Sequence, residues 1–326
     1  MRFVIRADAY AQSGAGHVMR SSVIAEELIS RGFDVVFIGN TAEIPWLNKY
    51  VEKLGFREVL TSSDIFVSNP NSDVLILDSY EIDPSTAFIQ SVNWSSIIVL
   101  VDDQTPSFFG NLYIHPGSGT SWQLPASSQK TEFLSGVKYL MIRKSVRELR
   151  SKMKHVGSFK PQILISGGGS DPYNFSEEIY KILRSTEFDF DAKILAPEFP
   201  IENNEKRFEF LKMGSDFESV LAETDLAFTT AGTSSWEFLY LGLITGVACA
   251  IPNQEANYKV QVNSECAIGV GNRDSLGNWK LDPKVILEMV FASNKNRHLT
   301  NLQNQFEIGK EFLALIEQIT NGKSTN

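Results

Sequence analysis

Cysteine is nearly absent from this chain, whose 326 residues include only Cys249 and Cys266. The two do not form a Cys-x-x-Cys pair, and neither shows the Cys/His spacing of a zinc motif. We therefore expect neither a disulfide framework nor a structural zinc site.

Basic clusters and long apolar runs are also missing. Asp and Glu number 39 against 30 Lys and Arg, which gives a formal net charge of −9 and argues against a nucleic-acid partner. No apolar run approaches the ~18 residues of a membrane span, and no charged-then-apolar leader precedes the first strand. We expect a cytoplasmic protein with no membrane span.

The remaining composition is that of an ordinary globular chain, with 43% hydrophobic residues and enough length for two domains. Strand and helix patterns alternate, so the predicted fold is α/β, with two Rossmann-like domains facing across a cleft. A polar, basic stretch at residues 144–160 places the boundary, giving domains 1–150 and 151–326. A terminal helix over residues 296–321 is expected, with a possible return to the first domain.

The opening forty residues predict a strand, a glycine loop, a helix and a second strand. Residues 3–5 form a short apolar run, and apolar residues then recur at helical spacing until Gly32, which suits a left-handed helix end. Residues 34–39 predict the next buried strand. This pattern is one βαβ crossover of a parallel sheet.

His17 lies where this glycine loop enters the helix, between Gly14 and Gly16 on one side and Arg20 on the other. Parallel α/β sheets bind ligands beyond the carboxyl ends of their strands, where a helix N-terminus presents N–H groups. An imidazole can accept a proton near neutral pH, which suits a general base. The alternative, that His17 only caps the helix or packs under the loop, stays open.

Two further apolar strands in the first half end in polar residues. Asp78 and Tyr80 follow one strand, and Asp102 and Asp103 follow the other. Such strand ends converge on one crevice, although each carboxylate could instead cap a turn. The Tyr80 phenol could both pack on a sugar and hydrogen-bond to it. Residues 115–128, rich in Gly, Ser and Pro, predict a loop near the crevice or a solvated connector.

The second half repeats the pattern of strand, glycine turn and helix. The turn with Gly168, Gly169 and Ser170 could admit a phosphate to the backbone, although it matches neither the Walker motif nor the dinucleotide fingerprint. A second turn begins a helix, whose Ser/Thr cluster could also be a simple cap, and a third follows the next strand. Candidate nucleotide ligands at these later turns are Gly232, Thr233, Ser234, Ser235, Glu237, Asn253 and Gln254.

Taken in order, these segments resemble the UDP-2,4-diacetamido-2,4,6-trideoxy-β-L-altropyranose hydrolase family of pseudaminic acid biosynthesis. That family is similar to two-Rossmann-domain (GT-B) glycosyltransferases, especially the peptidoglycan N-acetylglucosaminyl transferase. The segments concerned are Arg6-Ala7-Asp8, Gly14-Ala15-Gly16-His17-Val18-Met19-Arg20, Asp78-Ser79-Tyr80, Asp102-Asp103, Gly168-Gly169-Ser170-Asp171, the turn from Gly232 to Glu237 and Asn253-Gln254. The match runs to about residue 272, and the segment from Gly14 to Arg20 is its most specific part.

The resemblance implies that the second domain binds UDP, with the diphosphate at the Gly168 and Gly232 turns and the ribose at Glu237. No metal and no cofactor are implied, because helix dipoles and N–H donors can carry the diphosphate charge.

In the first domain the resemblance implies that His17 activates or orients a water, which attacks the anomeric carbon with inversion and releases UDP. Tyr80 would line the sugar pocket, and Asp8 is the further catalytic candidate. Gly14, Gly16, Arg20 and Asp78 are expected to bind substrate.

The chain departs from that family at residues 115–119, where the hydrolases carry an Asn-rich loop toward the sugar, so the sugar stays open. Two other functions also stay open: an inverting UDP-sugar glycosyltransferase, with His17 deprotonating an acceptor hydroxyl, and a nucleotide-sugar binding protein without turnover. A lipid acceptor would favour a basic first domain, but residues 1–129 hold more Asp and Glu than Lys and Arg. We expect a monomer whose partner is a UDP-sugar.

Overall fold

The structure is a computed structural model that describes residues 1–61, 66–79, 82–83, 85–102, 109–117, 131–153, 160–196, 205–214, 216–293 and 307–321. Tyr80, Asp103 and most of the predicted loop at 115–128 lie outside these residues. The chain divides into two compact units, which we call unit 1 (Met1–Ile142 with Glu307–Asn326) and unit 2 (Arg143–Phe306).

Unit 1 is built on a 7-stranded parallel sheet in the order β3-β2-β1-β4-β5-β6-β7. Its elements up to residue 142 are β1 (Arg2–Ala7), α1 (Gly16–Ser30), β2 (Asp34–Ile38), α2 (Pro45–Lys53), β3 (Glu58–Leu60), β4 (Asp73–Asp78), β5 (Ser96–Leu100), β6 (Leu112–His115) and β7 (Glu132–Ser135), with short 3-10 helices at Ala87–Ile89, Ser91–Asn93 and Val137–Tyr139.

Unit 2 repeats this topology in a 7-stranded sheet of order β10-β9-β8-β11-β12-β13-β14, in which only the edge strand β14 runs antiparallel to its neighbour. Its described elements are α3 (Lys144–Arg150), β8 (Gln162–Ser166), α4 (Phe175–Arg184), β9 (Asp191–Ala196), β10 (Phe208–Lys212), α5 (Phe217–Ala222), β11 (Leu226–Thr230), α6 (Thr233–Leu241), β12 (Ile244–Cys249), a short 3-10 helix at Pro252–Gln254, α7 (Glu255–Asn263), β13 (Ile268–Arg273), β14 (Trp279–Leu281) and α8 (Pro283–Ser293).

Residues 307–321 belong to unit 1 and contain the helix α9 (Phe312–Thr320). Phe312 and Ile316 are buried in the same hydrophobic cluster as Phe3 and Ile24. The Nε2 of Gln318 also donates to the Glu132 carboxylate at 2.8 Å. Burial of one helix face and this polar contact fix α9 against the β7 side of unit 1.

The central strands are continuous apolar runs because their side chains are buried on both faces of the sheet. Phe3 packs in a cluster on one face of the unit 1 sheet, whereas Val4 packs in a second cluster with Leu75 and Trp94. Alternate side chains of one strand thus enter two separate cores, so a central parallel strand is apolar at successive positions.

The predicted end of the first helix at Gly32 is confirmed. Gly32 has φ +81°, its N–H donates to the Ile29 carbonyl at 2.9 Å, and the next N–H, of Phe33, donates to the Leu28 carbonyl at 3.1 Å. This pair of bonds is a Schellman motif, which satisfies the last carbonyls of α1 and turns the chain into β2.

Two segments differ from their sequence predictions. Among the described residues, the terminal helix expected over residues 296–321 begins only at Phe312, because residues 308–311 before it form turns. His115 was expected to begin a loop but is the last residue of β6, where it pairs in register with Ser135. The four-residue strand β6 is too short to show a clear period, and the Pro and Gly that follow it dominate the local pattern.

Within the described residues, no helix combines the length and the apolar composition needed to cross a membrane.

Candidate functional site

The carboxyl edge of the unit 1 sheet has a topological switch point between β1 and β4. The chain leaves β1 toward β2 and β3 on one side, and β4 is followed by β5 to β7 on the other. Connections therefore diverge at this point and leave a crevice at the strand ends, which is where α/β sheets bind ligands.

His17 is brought to this edge by the loop between β1 and α1. Gly14 has φ +80°, and its N–H donates to the Tyr10 carbonyl at 2.8 Å, so the loop folds back on itself before α1 begins at Gly16. A left-handed residue at this position favours glycine. The loop thus places His17 in the first turn of α1, as the sequence predicted.

The His17 ring contacts Asp78, the last residue of β4. The Nδ1 of His17 lies 2.6 Å from Oδ1 of Asp78, and Asp78 is only 1% exposed. Nη2 of Arg20 also lies 3.2 Å from Nδ1, but the shorter contact is with an ionised carboxylate, which can only accept hydrogen bonds. We therefore assign the proton to Nδ1. In a neutral ring that leaves Nε2 as the proton acceptor, which is the tautomer a general base needs.

Asp78 is held as a carboxylate by its other partners. Burial on its own would raise its pKa, but the charges and hydrogen bonds of Arg20 and His17 outweigh burial and hold the pKa of Asp78 below its usual value. The Nε and Nη2 of Arg20 each donate to Asp78 at 2.6 Å, and Ser21 Oγ donates at 3.0 Å. His17, Arg20 and Ser21 all come from the first turns of α1, so one helix orients the carboxylate.

Arg20 bonds to two carboxylates in this network, whereas the sequence suggests that it binds substrate. Its Nη1 also bonds to Asp102, which follows β5, and the residue is only 9% exposed. Burial would lower the pKa of Arg20, but Asp102 and Asp78 raise it well above its usual value. Arg20 therefore acts as the fixed counter-charge of two carboxylates.

His115, at the end of β6, extends this row of strand-end residues. It is buried, and its pKa is lowered chiefly by burial, with Arg20 acting in the same direction and Asp102 opposing it. His115 therefore lies within electrostatic range of the Arg20–Asp102 pair. From the sequence alone, His115 is predicted only to begin a loop.

Asp8 is placed as a link between strand ends. Its carboxylate pairs with Arg6 at 2.6 Å, accepts the N–H of Asn40 at 2.9 Å and accepts the hydroxyl of Ser79 at 3.0 Å. Asp8 is 5% exposed. These contacts tie together the ends of β1, β2 and β4, and the catalytic role of Asp8 stays a prediction.

In unit 2 the equivalent switch point lies between β8 and β11. The chain goes from β8 to β9 and β10 on one side, while β11 leads to β12 and β13 on the other. The three turns that the sequence linked to nucleotide binding follow β8, β11 and β12, which are adjacent parallel strands. The fold therefore brings all three to one edge.

The turn after β8 differs from its prediction in one respect. Asp171 accepts the backbone N–H groups of Phe175 at 2.9 Å and Ser176 at 3.0 Å, so this carboxylate caps α4 and takes the place an anion would occupy. Burial raises the pKa of Asp171, and the bonds from Ser176 and Phe175 offset part of that rise. A Cβ on Gly167 would lie 1.9 Å from Oδ1 of Asp171, so this close approach requires glycine.

The remaining polar groups of that turn suit a ligand. Gly168 has φ +98°, and Gly169 and Ser170 follow it in the turn. Ser170 Oγ, like Asn253 Oδ1 in the turn after β12, is buried with no hydrogen-bond partner among the described residues. Buried polar atoms normally have partners, so each of these can receive one from a bound molecule.

The turn after β11 leads into α6, whose N-cap residue, Gly232, has no side chain with which to cap the helix. No other side chain among the described residues bonds to the N–H groups of its first turn. Thr233 and Ser234 occupy that first turn and are partly exposed. The turns after β11 and β12 lie close together, because a Cβ built on Gly232 would be 3.6 Å from Nε2 of Gln254. An uncapped N-terminus is suited to an anion such as a phosphate.

Ser235 and Glu237 are more deeply buried than their proposed roles suggested. Ser235 Oγ donates to the Gly232 carbonyl at 2.7 Å and accepts from Nε2 of Gln261 at 2.8 Å, so its hydroxyl is used inside the protein. Glu237 pairs through both oxygens with Arg143, which the sequence analysis did not single out. Only the basic character of the segment near residue 144 pointed there.

Within the described residues, no group of three or more His, Cys, Asp and Glu side chains could hold a metal ion.

Comparisons with known proteins agree with the fold. No family model matches the chain. An uncharacterized protein of Methanocaldococcus jannaschii is 25% identical over 357 residues, which cover 98% of this chain and 70% of that protein.

Solved structures cover nearly all of the chain. The calicheamicin glycosyltransferase CalG4 is similar with a TM-score of 0.58 and 13% identity over 100% of both chains. Arabidopsis thaliana UGT89C1 complexed with UDP is similar with a TM-score of 0.65 and 9% identity, over 98% of this chain and 99% of that one. The chain therefore has the two-domain α/β fold of GT-B glycosyltransferases.

Proposed function

We propose that this protein is an enzyme that transfers the glycosyl group of a UDP-sugar to an oxygen nucleophile with inversion. The observation that carries the proposal is the contact between His17 and Asp78, at 2.6 Å, at the switch point of unit 1. A buried carboxylate that fixes the protonated nitrogen of a histidine is the arrangement used to prepare a general base.

The proposed reaction is a single displacement. His17 Nε2 takes the proton from the nucleophile's hydroxyl while that oxygen bonds to the anomeric carbon. The bond between the anomeric carbon and the diphosphate oxygen breaks, and UDP leaves with the bonding electrons. Attack opposite to the leaving group inverts the anomeric configuration, and one base is sufficient for it.

Unit 2 is proposed to bind the nucleotide. The uncapped start of α6 at Gly232 provides a place for the diphosphate, and Ser170 Oγ and Asn253 Oδ1 are buried atoms for further contacts. Support for UDP comes from the similar fold of UGT89C1, which was solved with UDP. The sequence resemblance to UDP-sugar enzymes agrees with this choice.

Transfer to the hydroxyl of an acceptor is the first candidate reaction. It is supported by the fold that the chain shares with a calicheamicin glycosyltransferase. In this case the acceptor hydroxyl is deprotonated by His17, and the product is a glycoside.

Hydrolysis, with water as the nucleophile, is the second candidate reaction. It is supported by the segment from Gly14 to Arg20, whose sequence resembles the UDP-sugar hydrolases of pseudaminic acid biosynthesis. The product would then be a free amino- or acetamido-deoxy sugar.

One experiment separates these reactions. The full chain is incubated with a panel of UDP-sugars, first alone and then with hydroxyl acceptors, and UDP release is followed while NMR reports the anomeric configuration of the product. UDP release without acceptor supports hydrolysis, and release that depends on an acceptor supports transfer. Binding of UDP-sugars without release under either condition would contradict the enzyme proposal and leave a binding protein.

A further inference from the structure

Arg143 and Glu237 form a two-point ion pair inside unit 2. The Nε of Arg143 donates to Oε1 of Glu237 at 2.8 Å, and Nη2 donates to Oε2 at 2.6 Å. Arg143 is the N-cap residue of α3, and Glu237 lies one turn into α6. Glu237 is only 4% exposed. Two parallel bonds from a planar guanidinium fix both the position and the plane of the carboxylate.

Arg143 is itself held by α5. Its guanidinium carbon lies 5.0 Å from the centre of the Phe217 ring, a distance at which a cation is attracted to the ring face. Its Nη1 is 3.5 Å from Oε1 of Glu218, and that same oxygen accepts the Ser145 hydroxyl at 2.7 Å. The guanidinium plane is thus defined by groups other than Glu237, so Arg143 can impose an orientation on the carboxylate.

A carboxylate has about four acceptor positions, and the fork of Arg143 uses one on each oxygen. No other described residue bonds to these oxygens, so one position on each is left. Two acceptor positions on one carboxylate match the two neighbouring hydroxyls of a ribose, and a fixed plane lets both bonds form without further ordering of the side chain.

We propose that Arg143 is a positioning residue that orients Glu237 toward the ribose hydroxyls and thereby makes the site prefer ribonucleotides to 2′-deoxyribonucleotides. This inference rests on the proposed nucleotide site of unit 2. Arg143 acts through Glu237 and does not itself contact the nucleotide.

A second contact between the same two helices provides a matched control. The guanidinium of Arg150, also on α3, lies 4.5 Å from the ring centre of Tyr240 on α6. Replacing Arg150 therefore weakens the packing of α3 on α6 without changing the partner of Glu237.

The experiment measures the affinities of UDP and 2′-deoxy-UDP by calorimetry for the full chain and for Arg143→Lys, Arg150→Lys and Glu237→Gln. A hydrogen bond to a charged group is commonly worth roughly tenfold or more in affinity, so the wild type should prefer UDP by about that factor. Lysine keeps the charge but loses the fork, so Arg143→Lys and Glu237→Gln should reduce the preference to within about threefold. Arg150→Lys should keep it.

If Arg143→Lys keeps the wild-type preference for UDP, the inference is overturned. A loss of thermal stability like that of Arg150→Lys would then show that the ion pair only holds α3 against α6. UDP binding with no preference over 2′-deoxy-UDP in the wild type would overturn the inference but leave the nucleotide site. No UDP binding at all would instead remove the proposed function.

If Arg143→Lys fails to fold, the single variant Glu237→Gln is compared with the double variant that also carries Arg143→Met. Neither protein leaves the buried Glu237 carboxylate without a counter-charge. The two proteins should bind UDP equally, because the carboxylate that Arg143 orients is absent from both and a single amide oxygen cannot accept its two-point fork. A further loss of affinity in the double variant would show that Arg143 contacts the nucleotide directly and would overturn the inference.

Discussion

Replacing His17 by asparagine tests the proposed base most directly. Asp78 would keep its two bonds from Arg20 and its bond from Ser21, so the buried carboxylate would not lose its counter-charge. The lost contact should cost the free energy of unfolding about 1 kcal/mol. General base catalysis is commonly worth about 10² to 10⁴ in rate, which corresponds to roughly 3 to 5 kcal/mol in the barrier. We expect kcat to fall by that factor.

The assay follows UDP release under saturating UDP-sugar, with UDP affinity measured separately by calorimetry. Affinity for UDP should stay close to that of the wild type, since the nucleotide site is proposed on unit 2. Ser21→Ala is the matched control, because it removes one hydrogen bond to Asp78 from the same helix and keeps the base. It should lower kcat by less than about tenfold. Undiminished UDP release by the His17 variant would refute the reasoning and leave the histidine as a structural residue.

Four further predictions concern Asp78, Asp171 and the diphosphate site. Asp78→Asn should lower kcat by about 10²-fold or more, because the amide is uncharged and has one acceptor oxygen. If its NH2 faces His17, it selects the wrong tautomer, and if its oxygen faces His17, its NH2 opposes the donors of Arg20 and Ser21. Since the pKa of Asp78 is depressed, the wild type should lose free energy of unfolding as the pH falls below about 4, and urea titrations should show a smaller loss in Asp78→Asn. Asp171→Ala should destabilise unit 2 by about 1 to 2 kcal/mol in urea by uncapping α4. Calorimetry should give the same UDP affinity with and without a chelator, and loss of binding in chelator would show that the diphosphate requires a metal ion.

Much of the fold was predictable because it depends on local patterns. The apolar run at Phe3 to Ile5 gave a central strand, and Gly32 gave the helix end, since both are imposed by neighbouring residues. The rule that parallel strand ends converge also placed Asp78 and Asp102 near His17 and Arg20. The observed contacts agree with that prediction.

The choice of partners could not be read from local patterns. Asp171 looked like part of a phosphate turn, but the left-handed backbone at Asp171 (φ +41°) lets its carboxylate turn onto α4. Glu237 looked like a ribose ligand alone, while its partner Arg143 lies 94 positions away in the chain. Which donor reaches a buried carboxylate is decided by how whole helices pack, and a single sequence contains no direct signal of that contact.

The two sheets share one strand order, yet their carboxyl edges differ in charge, and this difference supports the roles proposed for them. At the edge of unit 1, Asp78 and Asp102 face the single guanidinium of Arg20, so this group holds one net negative charge while the His17 ring is neutral. A diphosphate gains nothing from such an edge, but a proton transferred to His17 brings the group to neutrality. At the edge of unit 2, the Asp171 carboxylate is bonded to the N–H groups of α4, while Gly168, the start of α6 at Gly232 and nearby hydroxyls present dipoles. Charge complementarity therefore supports the proposal that proton transfer occurs on unit 1 and that the anionic leaving group binds unit 2.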